Sequence, residues 1–189
     1  MRYEVRLAGS GGQGLILAGI ILAEAAGVYD GKFVCQTQSY GPEARGGASK
    51  AEVIISDEEI DYPKAIWPDV LLAMNQKSLD IYSGDLKPGG ALLVDADLVT
   101  EVPLSQALAV PFTRIAREEL GKTMVANIVA LGALAQLTGA VSLTSLEAAL
   151  LARVPNGTED LNKNALASGV RAVQGTSVRR RAEPGENET

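Results

Sequence analysis

The stretch LAGSGGQGLILAG, from Leu7 to Gly19, decides how the rest of the chain is read. Gly9, Gly11 and Gly14 have the spacing G-x-G-x-x-G. They lie between a strand-like run, Tyr3 to Ala8, and a helix-like run rich in Leu, Ile and Ala from Gly14 to Tyr29, which stops at Asp30-Gly31. In a strand–turn–helix setting such glycines let backbone approach a phosphate, and the helix N-terminus offers free N–H groups and a partial positive charge. Gly9, Ser10, Gly11, Gly12, Gln13 and Gly14 are therefore candidate cofactor- or anion-binding residues. The competing explanation is that the glycines only permit a tight turn and close helix–sheet packing. The extra Gly12 and the polar Gln13 exceed what packing needs. A side chain at Gly12 is expected to obstruct an approaching ligand or partner, and one at Gly14 to crowd the helix against the sheet.

Strand-like and helix-like patterns alternate outward from this unit. Phe33 to Tyr40 and Ala48 to Ser56 read as a second and a third strand, with a turn at Asp57-Glu58-Glu59. Asp69 to Met74 and Ala91 to Asp95 are short apolar runs of the kind found in parallel strands buried on both faces, with a helix through Tyr82 between them. Leu108 to Phe112 supplies a further strand. The remainder is helical, over about Thr123 to Thr138, Thr144 to Arg153 and Thr158 to Val173, with Ser142 or Thr144 as a cap and Gly139 as a stop. The fold class expected is α/β: a single open, mostly parallel, Rossmann-like sheet with helices on both faces and a helical C-terminal part. Its ligand edge should lie at the C-terminal ends of the strands.

Composition removes several classes of function. The 189 residues include 47% hydrophobic residues and carry a formal charge of −6, so one ordinary domain with its own core is expected, without the basic face of a nucleic-acid or membrane binder. One cysteine and no histidine leave no disulfide, no C-x-x-C metal site and no iron–sulfur cluster on this chain. Met124 to Ala140 is too short to span a bilayer and contains Asn127 and Gln136, which makes it a buried helix. MRYEVRLAG carries charges where a signal peptide has its apolar stretch, so a cytoplasmic protein is expected. The C-terminal residues, with Arg179 to Arg181 followed by AEPGENET, read as a solvated tail.

A dinucleotide-binding fold should place an acid at the end of its second strand to hold the ribose. Gln38, Ser39 and Tyr40 stand there instead. The loop that follows, Gly41-Pro42-Glu43-Ala44-Arg45-Gly46-Gly47, leaves on the same edge as the first glycine cluster. It displays one acid and one base on glycine-flanked backbone, either as an ordinary solvated pair or as a group able to clamp a carboxylate or phosphate.

These two motifs together, GSGGQG and then TQSYGPEARGG followed by SKAEVIIS, resemble the gamma subunits of 2-oxoacid:ferredoxin oxidoreductases. The similarity runs over about the first 140 residues, through DYP at Asp61 to Pro63, DVLLAM and the helix beginning near Asn127. The short, unfused chain most resembles the 2-oxoglutarate type, although pyruvate and branched-chain (ketoisovalerate) relatives share the motifs. The resemblance implies a gamma-type domain over residues 1–178 with a polar tail at 179–189. It implies an enzyme that decarboxylates a 2-oxoacid on thiamine diphosphate and Mg2+, passes electrons through iron–sulfur clusters to ferredoxin, and delivers the acyl group to coenzyme A. Those cofactors would belong to alpha, beta and ferredoxin-like delta partners. Gln38, Ser39, Tyr40, Gly41, Pro42, Glu43, Arg45, Gly46, Gly47 and Asn127 would form an active-site wall or interface. The alternatives are a free-standing NAD(P)- or flavin-binding oxidoreductase and a purely structural assembly subunit on the same fold.

Overall fold

The computed structural model describes residues 1–40, 48–102 and 107–175. The loop from Gly41 to Gly47, with Arg45, and the C-terminal tail lie outside the described residues. Among those described, six strands form one sheet in the order β2-β3-β1-β4-β5-β6. They are β1 (Arg2–Ser10), β2 (Phe33–Tyr40), β3 (Ala48–Ser56), β4 (Val70–Ala73), β5 (Ala91–Asp95) and β6 (Ala107–Val110). The helices are α1 (Leu15–Glu24), α2 (Gln76–Tyr82), α3 (Phe112–Glu118), α4 (Ala126–Thr138), α5 (Leu143–Leu151) and α6 (Glu159–Ala172). The mostly parallel α/β architecture expected from the sequence is present. No described helix is long and apolar enough to cross a membrane.

One strand runs against the rest. β1, β4, β5 and β6 are mutually parallel, whereas β3 pairs antiparallel with both β1 and β2. β2 therefore points the same way as β1 but sits two places away, with β3 between them. Because directly opposed residues share a face, Leu7 lies beside Ala51 and then Gln38, while Arg6 lies beside Glu52 and then Thr37.

The two faces are covered unequally. Val5, Leu7, Val53, Ile55, Leu72 and Leu93 pack in the larger core with α1 and α4, and the smaller core joins Ala8, Leu71, Leu92 and Val94 to Leu79 of α2. Every residue of α4 except Gln136 is buried, as befits a helix apolar on all sides. It meets α6 backbone to backbone. A Cβ on Gly169 would fall 1.8 Å from the carbonyl oxygen of Val129, and one on Gly132 would fall 2.3 Å from that of Leu166. α1 also sits close to the sheet at Gly19, where a Cβ would be 2.7 Å from the side chain of Ala51.

Candidate functional site

The chain leaves β1 towards α1 on one face of the sheet and leaves β4 towards α2 on the other. In open α/β sheets the crevice outside such a divergence, at the C-terminal ends of the strands, is where ligands bind. Its walls here are the turn Ser10-Gly11-Gly12-Gln13-Gly14 and the junction Met74-Asn75.

Gln13 and Asn75 fix that geometry. The Gln13 backbone N–H closes the turn onto the Ser10 carbonyl at 3.1 Å. Its side-chain oxygen accepts from the Ser10 N–H at 2.6 Å, and its amide nitrogen donates to the Met74 carbonyl at 3.1 Å. Asn75 caps α2, accepting from the Ser78 N–H at 2.8 Å, while its amide nitrogen donates to the Ser10 hydroxyl and, at 3.4 Å, to Gln13. One amide side chain thus ties the start of α2 to the glycine turn. Ser49 of β3, itself buried, donates from the other side to the Gly9 carbonyl at 3.2 Å.

The glycines divide into two groups. A Cβ on Gly9 would lie 2.5 Å from the Gln13 side-chain oxygen, and one on Gly14 would lie 2.4 Å from the Asn127 amide nitrogen. These two are required by packing. A Cβ on Gly11 or Gly12 meets no described atom within 4 Å, and both residues are exposed. Packing among the described residues accounts for neither, so their backbone is left open to the crevice there. Gly12 and Gly14 have φ of +94° and +74°, which disfavours any side chain whatever the space.

Two expectations about substitutions change accordingly. A residue at Gly12 would strain the free chain as well as obstruct the crevice. A residue at Gly14 would collide with α4 rather than with the sheet, and Gly19 is the glycine that gives α1 its close contact with the sheet.

The N-terminus of α1 opens onto the same space. Gly14 occupies the N-cap position, no described side chain caps the helix, and the first N–H groups of an α-helix have no acceptor within it. Asn127, in the first turn of α4 and 4% exposed, donates to the Gly14 carbonyl at 3.0 Å. Its own amide oxygen is buried without a partner among the described residues. Among the residues singled out from the sequence, Asn127 is thus brought directly against the glycine turn.

Tyr40 lies opposite Ser49, which lies opposite Gly9, so β2 ends two strands from the turn, a lateral separation of about 10 Å. Gln38, Ser39 and Tyr40 are exposed there. The intervening β3 also removes the dinucleotide geometry, because the neighbour of β1 on that side begins at this edge rather than ending at it.

Asn75 and Ser49 were missed from the sequence. Asn75 had a signal, since an Asn between a buried strand and a helix is a preferred cap. Ser49 had none.

Residues 4–172 match the family described as pyruvate ferredoxin/flavodoxin oxidoreductase. The chain belongs to that family. Among oxidoreductases of this family, a 2-oxoglutarate synthase subunit KorC from Methanocaldococcus jannaschii is 56% identical over 173 residues, covering 89% of this chain and 92% of that one. The crystal structure of a keto/oxoacid ferredoxin oxidoreductase gamma subunit from Geobacter sulfurreducens superposes with a TM-score of 0.82 at 53% identity, covering 90% of this chain and 97% of its own. A 2-oxoglutarate:ferredoxin oxidoreductase from Magnetococcus marinus, described with 2-oxoglutarate, coenzyme A and succinyl-CoA bound, gives a TM-score of 0.80 at 25% identity. It covers 98% of this chain but only 34% of its own, so there the same fold is one part of a longer polypeptide. The family resemblance carried by GSGGQG and TQSYGPEARGG is therefore confirmed.

Proposed function

We propose that this chain is the gamma subunit of a 2-oxoacid:ferredoxin oxidoreductase acting on 2-oxoglutarate, and that it works only in complex with alpha, beta and ferredoxin-like delta partners. The observation that carries the proposal is the 56% identity, over nearly the full length of both chains, to a 2-oxoglutarate synthase subunit. The residues present do not fit the redox cofactors. A single cysteine, the half-buried Cys35, cannot hold an iron–sulfur cluster, and the sequence has no G-D-G motif for thiamine diphosphate and Mg2+, so we assign all three to the partners, which pass electrons to ferredoxin.

This chain's own contribution is the crevice at β1 and β4. The exposed Gly11-Gly12 backbone and the uncapped start of α1 suit a phosphate of coenzyme A, which would gain N–H donors and the positive end of the helix without a cationic side chain. Gln13 and Asn75 keep that backbone in place. Coenzyme A is thereby oriented towards an acyl group formed on the partner subunits.

Purification of the native complex tests the proposal. The chain should co-purify with the other oxidoreductase subunits, and coenzyme A-dependent ferredoxin reduction should be faster with 2-oxoglutarate than with pyruvate. Recovery of the chain without such partners would refute the assignment, and a preference for pyruvate would refute the substrate.

A further inference from the structure

Far from the crevice, the segment 57–69 crosses the thinly covered face of the sheet without regular helix or strand. β1 side chains nevertheless hold its backbone at five points between Tyr62 and Trp67. Arg2 donates to the carbonyls of Tyr62 and Lys64 at 3.0 and 3.1 Å, and Arg6 donates to that of Ala65 at 3.1 Å. Glu4 accepts from the N–H groups of Ile66 and Trp67 at 2.9 and 3.1 Å. Glu4 and Arg6 are buried, at 7% and 2% exposure, and Arg6 is neutralised by Glu52 at 2.8 Å and by Asp85.

Burying charge in this way carries a large desolvation penalty, so a network that ends on the backbone of a surface loop calls for an explanation. What the loop displays supplies one. Tyr62, Ile66 and Trp67 point outward at 49, 53 and 56% exposure. Aromatic side chains on backbone that is already ordered are the usual anchors of protein–protein contacts, because little entropy remains to be lost on binding.

We infer that this loop is the docking surface for the oxidoreductase subunit that corresponds to the rest of the longer Magnetococcus marinus chain. The inference rests on the function proposed above. Where the fold is part of a longer chain its partner is covalently attached, whereas the KorC and Geobacter sulfurreducens relatives, covered over 92% and 97% of their lengths, are subunits by themselves, for which attachment is made by contacts. The site is suited to that task because it hangs on the N-terminal half of β1, about 20 Å from Ser10 by strand rise, and so leaves the crevice free.

Charge selects the occupant. Glu58, Glu59 and Asp61 are exposed in the same segment as Tyr62, Ile66 and Trp67, with Lys64 the single cation in that stretch. A two-fold contact with a second copy would set acid against acid, so the complementary surface is an apolar socket with a basic rim on a different chain.

The test titrates the purified full-length chain onto the complex prepared without it, comparing wild type, Ile66→Ala/Trp67→Ala and Glu58→Lys/Glu59→Lys. The double alanine variant should bind at least tenfold more weakly while its urea midpoint stays unchanged. The charge-reversed variant should associate more slowly, and the difference should shrink as salt is raised. With 5-fluorotryptophan in wild type, the single 19F resonance of Trp67 should lose its sensitivity to solvent on binding. Wild-type affinity in both variants, or a Trp67 signal that stays solvent-exposed in the complex, would overturn the inference while leaving the functional assignment intact. Self-association of the free chain through the patch would overturn it too. Failure of wild type to bind oxidoreductase subunits at all would instead remove the functional assignment, and this inference with it.

Discussion

Replacing Gly14 by alanine separates the two kinds of glycine in the crevice. The new Cβ would sit 2.4 Å from the Asn127 amide nitrogen and 3.1 Å from its Cγ, on backbone with φ +74°. The left-handed backbone conformation costs about 1–2 kcal/mol for an L-residue, and forcing a methyl into a packed site adds about 1–3 kcal/mol, so the loss should total about 2–5 kcal/mol. Asn127→Ala removes the obstruction. It also removes a buried oxygen without a partner, and the Gly14 carbonyl keeps its bond from the Ala18 N–H at 3.0 Å. In that background Gly14→Ala should cost only the backbone part, about 1–2 kcal/mol. Gly12→Ala, with φ +94° and open space around it, should cost about 1–2 kcal/mol whether or not Asn127 is present. Urea unfolding of the four members of the Gly14–Asn127 cycle, followed by far-UV circular dichroism, measures the coupling. An equal cost for Gly14→Ala in both backgrounds would refute the assignment of Gly14 to contact with α4.

Other substitutions probe the frame around the crevice. Asn75→Ala should destabilise the chain by about 0.5–2 kcal/mol through loss of the α2 cap, and should weaken coenzyme A binding by the assembled enzyme because Ser10 and Gln13 lose a tether. Calorimetric titration of coenzyme A checks the second effect. Gly169→Ala should cost about 3 kcal/mol or more, because its Cβ would run into the α4 backbone rather than a movable side chain; thermal unfolding of the free chain reads this out. Acid unfolding tests Asp30. Burial raises its pKa, but hydrogen bonds from Ser145 and Ser142 and the charge of Lys32 outweigh that and leave it below 3.8. Its contribution is therefore complete above the unfolded value and is lost as pH falls through the folded one. Asp30→Asn should be less stable than wild type at pH 6, and the gap should close at the most acid pH where both still fold.

Local chemistry explains which parts of the fold were legible in the sequence. β2, β3 and β5 begin and end where the alternating or apolar runs meet Gly31, the GPEARGG segment, Asp57 and Gly90, because turn residues mark strand ends directly. Ser142 and Gly139 fill the cap and stop roles expected of them. The reversal of β3 was hidden because side-chain alternation has the same period in parallel and antiparallel strands. Gly14 was assigned the packing role that Gly19 performs, since which glycine faces the sheet depends on the rotation of α1. The contact of Asn127 with Gly14 spans 113 residues and has no local signature. Arg6 and Glu52 lie in strands that carry other charges, Arg2, Glu4 and Lys50, and nothing in either run shows that Arg6 faces Glu52 or that Arg2, Glu4 and Arg6 hold the loop at Tyr62 to Trp67.

We propose the chain as an obligatory, non-redox subunit of a 2-oxoglutarate:ferredoxin oxidoreductase. The direct test is an add-back assay: ferredoxin reduction and succinyl-CoA formation from 2-oxoglutarate and coenzyme A, measured with the complex lacking this chain, with the chain alone, and with the two recombined. Activity is expected only on recombination, with markedly weaker coenzyme A dependence when Gly12→Ala replaces wild type. Full activity without the chain, or turnover by the chain alone, would contradict it.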